Sequence, residues 1–124
     1  MTTLYRATTN IETGIPSGTC WTEAREAAEA YTDNPGFGGN HIREIQAEGS
    51  VLDITGGGTR DQFCVLADAI GMTTDDAQDW MDSGYLYPWE ESGSVRNALI
   101  ESAYIWLRYE DDYPDDCITW MKIA

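Results

Sequence analysis

Two short stretches near the start of the chain combine residue types that bind small anionic ligands. In LYRA, Tyr5 offers a ring that can stack on a heterocycle and Arg6 a guanidinium that can bind phosphate through two hydrogen bonds. On a strand these two side chains face opposite sides. In TCWT, Thr19 and Thr22 place hydroxyl groups around Trp21. Both stretches also have plain structural explanations, because an arginine suits an edge strand and a threonine suits a helix N-cap.

A third stretch, YEDDYPDD near the C-terminus, concentrates carboxylates at the end of an apolar, strand-like run. A charge run of this kind is usually a solvated turn. One carboxylate at a strand end is also what a reaction through a cationic sugar centre requires, because it can hold a ribose hydroxyl and stabilise an oxocarbenium-like transition state. The sequence leaves both interpretations open.

Composition limits the class of protein to which these stretches belong. The 124 residues include only seven Lys and Arg, and the net charge is -15. Binding to a nucleic-acid backbone depends on basic residues, so no direct nucleic-acid contact is expected, whereas a basic protein surface is a plausible partner. The length predicts a single domain over 1–124. Alternatively, the high charge serves only to keep the protein soluble or reflects a salt-rich habitat.

Other residue counts argue against several kinds of site and location. The N-terminus lacks the basic and apolar regions of a secretion signal, and no apolar run reaches the length of a membrane span, so we expect a cytoplasmic protein without membrane contact. Cys20, Cys64 and Cys117 are odd in number and widely spaced, which argues against a disulfide framework or a zinc site. His41 is the single histidine, so a His-based triad is not expected.

Hydrophobic periodicity predicts the elements that must position these residues. A strand is expected over 2–7, then a loop over 10–18, then an Ala-rich helix capped by Thr22 that presents Tyr31. Strands are expected over 41–47 and 51–54, followed by a glycine-rich turn that lacks the Lys of a phosphate-binding loop.

The second half of the chain is expected to be helical before it returns to strands. Gly71 should end one helix, Thr73 or Thr74 should cap the next, and Ser94 should cap a third. YIWLRYE and CITWMKI are the last two strand candidates. Strands at both ends with helices grouped in the middle predict an α+β fold with small mixed or antiparallel sheets.

In their order along the chain, these stretches resemble the ADP-ribosyltransferase fold. LYRA is similar to the first-strand motif of the cholera-toxin-like group, in which the arginine helps to hold NAD. TCWT occupies the place of the Ser-Thr-Ser motif of that group, on a Thr-rich strand that leads into the Ala-rich helix. RYEDD occupies the place of the catalytic carboxylate, although the toxin group has Glu-x-Glu where this chain has Glu110-x-Asp112.

The ending of the chain, from WEESGS to TWMKI, resembles a narrower group. These are the small phage-encoded ADP-ribosyltransferases that act as anti-CRISPR proteins against the type I-F surveillance complex. The resemblance implies an NAD-dependent protein ADP-ribosyltransferase in the bacterial host cytoplasm, with a host protein as acceptor, such as a subunit of that complex. It places the catalytic aspartate at Asp111, with Glu110 and Asp112 as flanking alternatives.

The resemblance also implies a site for NAD between the first strand and the Ala-rich helix. Arg6 and Arg43 would lie near the phosphates, and an Arg6→Ala change is then expected to weaken NAD binding more than the fold. The alternatives are an NAD glycohydrolase, which transfers to water, and a non-enzymatic acidic protein that mimics nucleic acid and blocks a basic surface. The remaining cofactor-binding candidates are Tyr5, Thr19, Trp21 and Thr22 on the first two stretches, with Tyr31 or Phe37 against nicotinamide.

Overall fold

A computed structural model describes most of the chain, namely residues 2–8, 12–32, 41–56, 59–83, 89, 93–110 and 118–123. Within these ranges it contains six strands and four helices. In chain order they are β1 (Thr2–Thr8), β2 (Cys20–Thr22), α1 (Arg25–Thr32), β3 (His41–Ala47), β4 (Val51–Asp53), α2 (Thr59–Ala69), α3 (Thr74–Asp82), α4 (Gly93–Glu101), β5 (Trp106–Glu110) and β6 (Ile118–Lys122).

The described strands form one mixed sheet in the order β3-β1-β2-β6-β5-β4. All neighbours are antiparallel except β4 and β5, which are parallel. Parallel neighbours need a long crossover connection, and α2, α3 and α4 lie in the chain between these two strands. The α+β class is therefore confirmed, but a single six-stranded sheet replaces the small sheets that were expected.

The described helices cover one face of this sheet. Alternate residues of the central strands, such as Leu107, Tyr109 and Met121, pack against apolar residues of α2, α3 and α4. The aromatic rings of Trp89 and Tyr109 meet edge to face, with their centroids 4.9 Å apart. This face, called the helical face below, holds the larger of the two hydrophobic clusters.

The opposite face, called the tryptophan face below, is buried without a described helix. Trp21, Trp106 and Trp120 lie there together with Leu4, and each is at most 5% exposed. The segment 12–18 crosses this face, and its Ile15 packs against the cluster. The rings of Trp106 and Trp120 meet at 69° with their centroids 5.9 Å apart, an edge-to-face arrangement that aromatic pairs favour.

Two helix ends match the sequence prediction in detail. Gly71 has a φ of +76°, and the backbone N–H groups of Gly71 and Met72 donate to the carbonyls of Asp68 and Ala67. This is the Schellman pattern, for which glycine is favoured because it has no Cβ. At the start of α3, Thr73 and Asp76 form a reciprocal capping box.

Two other predicted caps are wrong. Helix α1 begins at Arg25, three residues beyond the predicted cap at Thr22. Thr22 instead belongs to β2, where its hydroxyl accepts a hydrogen bond from the Ala24 N–H. Helix α4 already includes Gly93, so Ser94 lies within its first turn. Within the described residues, no helix has the length and apolar character that spanning a lipid bilayer requires.

Candidate functional site

A cavity of about 180 Å³ lies between α1 and the strands β1, β2 and β6. Ala28 of α1 is completely buried, and this small side chain lets the helix approach the sheet closely. Tyr31, one turn further along, forms part of the wall as a half-buried side chain. The cavity therefore combines aromatic, hydroxyl and thiol groups, and the nine residues that line it are Tyr5, Arg6, Ala7, Cys20, Trp21, Thr22, Ala28, Tyr31 and Thr119.

The register of the sheet aligns the polar residues of this cavity in a row. Tyr5 is opposite Thr22, Thr22 is opposite Thr119, and Thr119 is opposite Tyr109. Directly opposite residues share a face, so the row runs across the helical face from β1 to β5. One residue past Tyr109, β5 ends at Glu110, which is opposite Ile118 and by strand alternation has its side chain on the tryptophan face.

Glu110 is the one predicted catalytic residue within the described ranges. Its Oε1 accepts a hydrogen bond of 3.1 Å from the Gly56 N–H, and its own N–H donates to Gln62 Oε1 at 2.9 Å. These contacts tie the end of β5 to the loop after β4 and to α2. Asp111 and Asp112 follow directly in the sequence but lie outside the described residues, as does Phe37.

Arg6 directs its guanidinium away from the cavity and over the tryptophan face. Its Nε and Nη2 donate to the Glu12 carboxylate at 3.1–3.3 Å, and Nη1 donates to the Cys20 carbonyl at 3.1 Å. Arg43, opposite Arg6 in the register, donates to Glu12 at 2.9 Å and stacks over the Trp21 ring at 5.2 Å. By strand alternation, Arg6 and Trp21 border the cavity through their backbone.

The Arg6–Glu12–Arg43 cluster is largely shielded from solvent, with its three side chains 16–24% exposed. Burial alone would raise the pKa of Glu12, but the hydrogen bonds from Arg6 and Arg43 outweigh it and hold that pKa below its ordinary value. The carboxylate is therefore ionised and binds both arginines. All three nitrogens of Arg6 are engaged within the protein.

A second ion-pair cluster on the tryptophan face is centred on Arg108. Its Nε donates to Glu23 at 3.0 Å and its Nη1 to Asp53 at 2.8 Å, while Trp120 Nε1 donates to Glu23 at 2.9 Å. Burial would raise the pKa of Glu23, but hydrogen bonds from Arg108 and Trp120 outweigh it and lower that pKa. Burial would also raise the pKa of Asp53, but hydrogen bonds from Thr55 and the nearby Arg108 lower it more. The pKa of Arg108 is raised, mainly by its hydrogen bond to Glu23.

The sheet therefore divides the predicted cofactor-binding residues between its two faces. Tyr5, Thr22 and Tyr31 line the cavity on the helical face. The side chains of Arg6, Arg43 and Trp21 lie on the tryptophan face, and so does Thr19, whose hydroxyl donates to the Pro16 carbonyl and accepts from Trp21 Nε1.

Sequence reasoning missed Arg25, which lies at the start of α1 beside the cavity. Its guanidinium is 5.9 Å from the centroid of the Tyr5 ring, and it forms an ion pair of 3.3 Å with Glu29. The i,i+3 spacing between Arg25 and Ala28 could have placed it on this side of the helix. Thr119 was missed too, although alternation along CITWMKI could have found it; nothing in the pattern around Glu12 identifies its role.

Comparisons of the chain with protein-family models, with curated protein sequences and with solved structures found no match in any of the three. The family suggested by LYRA, TCWT and RYEDD therefore stays a prediction.

Proposed function

We propose that this protein is an NAD-dependent mono-ADP-ribosyltransferase that modifies a host protein as a phage-encoded anti-defence factor. The observation that carries the proposal is the cavity under α1. Three predicted ligand residues from separate stretches of the chain, Tyr5, Thr22 and Tyr31, line this one cavity. Aromatic rings and hydroxyl groups together suit a nicotinamide ring and the ribose attached to it.

The size of the cavity limits which part of NAD it can hold. At about 180 Å³ it is smaller than the roughly 300 Å³ at which pockets for drug-sized ligands begin. Nicotinamide and part of its ribose are of a suitable size, whereas the diphosphate and adenosine would extend beyond the cavity. Tyr5 or Tyr31 would contact the ring, and Thr22 and Thr119 offer hydroxyls to the sugar.

The proposed reaction breaks the glycosidic C–N bond of NAD, and nicotinamide leaves with the bonding electrons. A lone pair on the acceptor side chain forms the new bond to C1′ of the ribose, and the proton of the acceptor passes to solvent. A carboxylate near the ribose stabilises the positive charge that develops as the bond loosens. Glu110 follows Tyr109 of the row, but by strand alternation its side chain belongs to the tryptophan face, opposite Ile118. Asp111 and Asp112 follow it directly in the chain.

Calorimetry with NAD and an assay of nicotinamide release test this proposal together. The variants are Glu110→Gln, Asp111→Asn and Asp112→Asn, with Asp68→Asn on the exposed side of α2 as the matched control. We expect one of the three to lose about 100-fold or more in rate while NAD binding persists, as is typical when a group that stabilises transition-state charge is removed. The proposal fails if millimolar NAD does not bind, or if all three variants keep full activity.

Mass spectrometry of candidate acceptor proteins separates a transferase from an NAD glycohydrolase. After incubation with NAD, a transferase adds one ADP-ribosyl group to the acceptor, and the Asp68→Asn control does so at the wild-type level. Nicotinamide release without any addition to protein would identify the glycohydrolase.

The second candidate function is a non-enzymatic acidic binder that blocks a basic surface of its partner. It is favoured by the ion pairs: Arg6, Arg25, Arg43 and Arg108, four of the seven basic residues, are paired with carboxylates of the chain itself. Such a protein attracts a basic surface electrostatically. It would bind its partner more weakly at high salt and would keep full biological activity in all three carboxylate variants.

A further inference from the structure

We propose that Arg25 binds the phosphate group of a nucleotide whose ring occupies the cavity under α1. The inference rests on the proposed function, since it names the phosphate contact of the same site. The ligand chemistry is a ribose 5′-phosphate joined to a small aromatic base.

The position of Arg25 is the first reason. Its guanidinium lies over the Tyr5 ring at 5.9 Å from the centroid, and Tyr5 lines the cavity. The Arg25 side chain is also 53% exposed, so it can turn toward the part of a bound ligand that extends out of the cavity. A guanidinium offers a planar pair of N–H donors that matches two phosphate oxygens.

The second reason is that the other arginines nearby already bind a carboxylate of the chain itself. Arg6 and Arg43 share the Glu12 carboxylate on the tryptophan face, in a cluster at most 24% exposed. Recruiting either one to a phosphate near α1 would break hydrogen bonds that are shielded from water and leave a carboxylate short of partners, which is costly.

Arg25 can change partner at little cost. It is paired with Glu29 through one contact of 3.3 Å, and both side chains are more than half exposed. Exposed pairs one helical turn apart contribute little to stability, because solvent screens them. A phosphate carries more charge than a carboxylate and more acceptor oxygens, so it competes effectively with Glu29 for the guanidinium.

The test compares two ligands that differ by one phosphate, nicotinamide riboside and nicotinamide mononucleotide. Calorimetry gives a dissociation constant for each, and their ratio isolates the phosphate contribution. In Arg25→Gln we expect this ratio to fall by about three- to fivefold, the size of an exposed charge contact. Arg60→Gln is the matched control, since Arg60 is likewise an exposed arginine near the start of a helix, α2, but contacts Gln78.

A gain-of-affinity variant guards against a merely structural effect. Glu29→Gln removes the competitor of the phosphate, so the ratio is expected to rise by about twofold, in line with the weak pair that is lost. The inference is overturned if Arg25→Gln leaves the ratio of dissociation constants unchanged. If the variant weakens the binding of both ligands by the same factor, the ratio is also unchanged, and Arg25 acts only through Tyr5. Failure of the wild type to bind either ligand would instead overturn the proposed function, and the inference with it.

Discussion

The two faces of the sheet are buried by different means. The helical face is closed by apolar side chains of α2, α3 and α4, and it opens at α1 into a cavity. The tryptophan face is closed by three indoles, with arginine–carboxylate clusters beside them.

The difference shows how an acidic protein uses its few basic residues. On the tryptophan face Arg6, Arg43 and Arg108 are only partly exposed and are held by carboxylates, while Arg25, beside the cavity, is largely exposed. Partly buried charges must be paired to be tolerated, so these carboxylates hold the first three arginines in place. Arg25 remains accessible for a ligand.

The largest loss of stability is expected at an aromatic residue of the core, and it contrasts with a smaller loss at an aromatic residue of the cavity wall. Trp21 is 1% exposed, so Trp21→Ala is expected to lower the free energy of unfolding by about 3–5 kcal/mol. Tyr31 is half-buried beside the cavity, so Tyr31→Ala is expected to cost less than half as much while it weakens ligand binding. Urea unfolding measures both variants, and equal losses would show that the cavity wall is as tightly packed as the core.

The next effect concerns the Arg6–Glu12–Arg43 cluster. Glu12→Gln removes the charge that two arginines share, and we expect a loss of about 2 kcal/mol, typical of hydrogen bonds to charged groups. Arg6→Ala is expected to cost a similar amount, so the structure predicts a larger effect on the fold than the sequence did. If Arg6→Ala leaves stability unchanged but abolishes NAD binding, the division between the two faces is wrong.

The same cluster predicts a pH dependence. The pKa of Glu12 is below its ordinary value of 4.5, so its stabilising contribution is complete above pH 4.5 and is lost as the pH falls through the lowered pKa. The difference in unfolding free energy between wild type and Glu12→Gln should therefore be constant above pH 4.5 and shrink below it. Urea titrations at constant ionic strength measure this difference, and a gap that widened in acid would contradict an ionised Glu12.

The smallest effect is expected at the exposed pair of α1. Glu29→Gln provides a contrast to Glu12→Gln, because the same chemical change is made where the side chain is 54% exposed. We expect at most about 0.5 kcal/mol, and less in high salt, because solvent and ions screen the pair. A loss comparable to that of Glu12→Gln would show that Arg25 is fixed in place and is not available to a phosphate.

Local sequence patterns predicted much of the fold. The alternation from His41 to Ala47 matches β3 at both ends, and Gly71 ends a helix as predicted. These features depend on interactions within a few residues, such as the left-handed backbone that glycine tolerates. The cap predicted at Thr22 is wrong because pairing of β2 with β1 and β6 competes with the local preference for a helix start.

The sequence by itself determined the alternation that separates Tyr5 from Arg6, the α+β class and the scarcity of basic residues. Tertiary structure alone decided which carboxylate each arginine meets: Glu12 lies six residues from Arg6, whereas Glu23 lies 85 residues from Arg108. No local pattern specifies such pairs, because strand order and register bring them together only after the sheet has formed. The packing of α1 on β1 and β2 likewise decided the size and the lining of the cavity, which the resemblance had placed only as a site between the first strand and the Ala-rich helix.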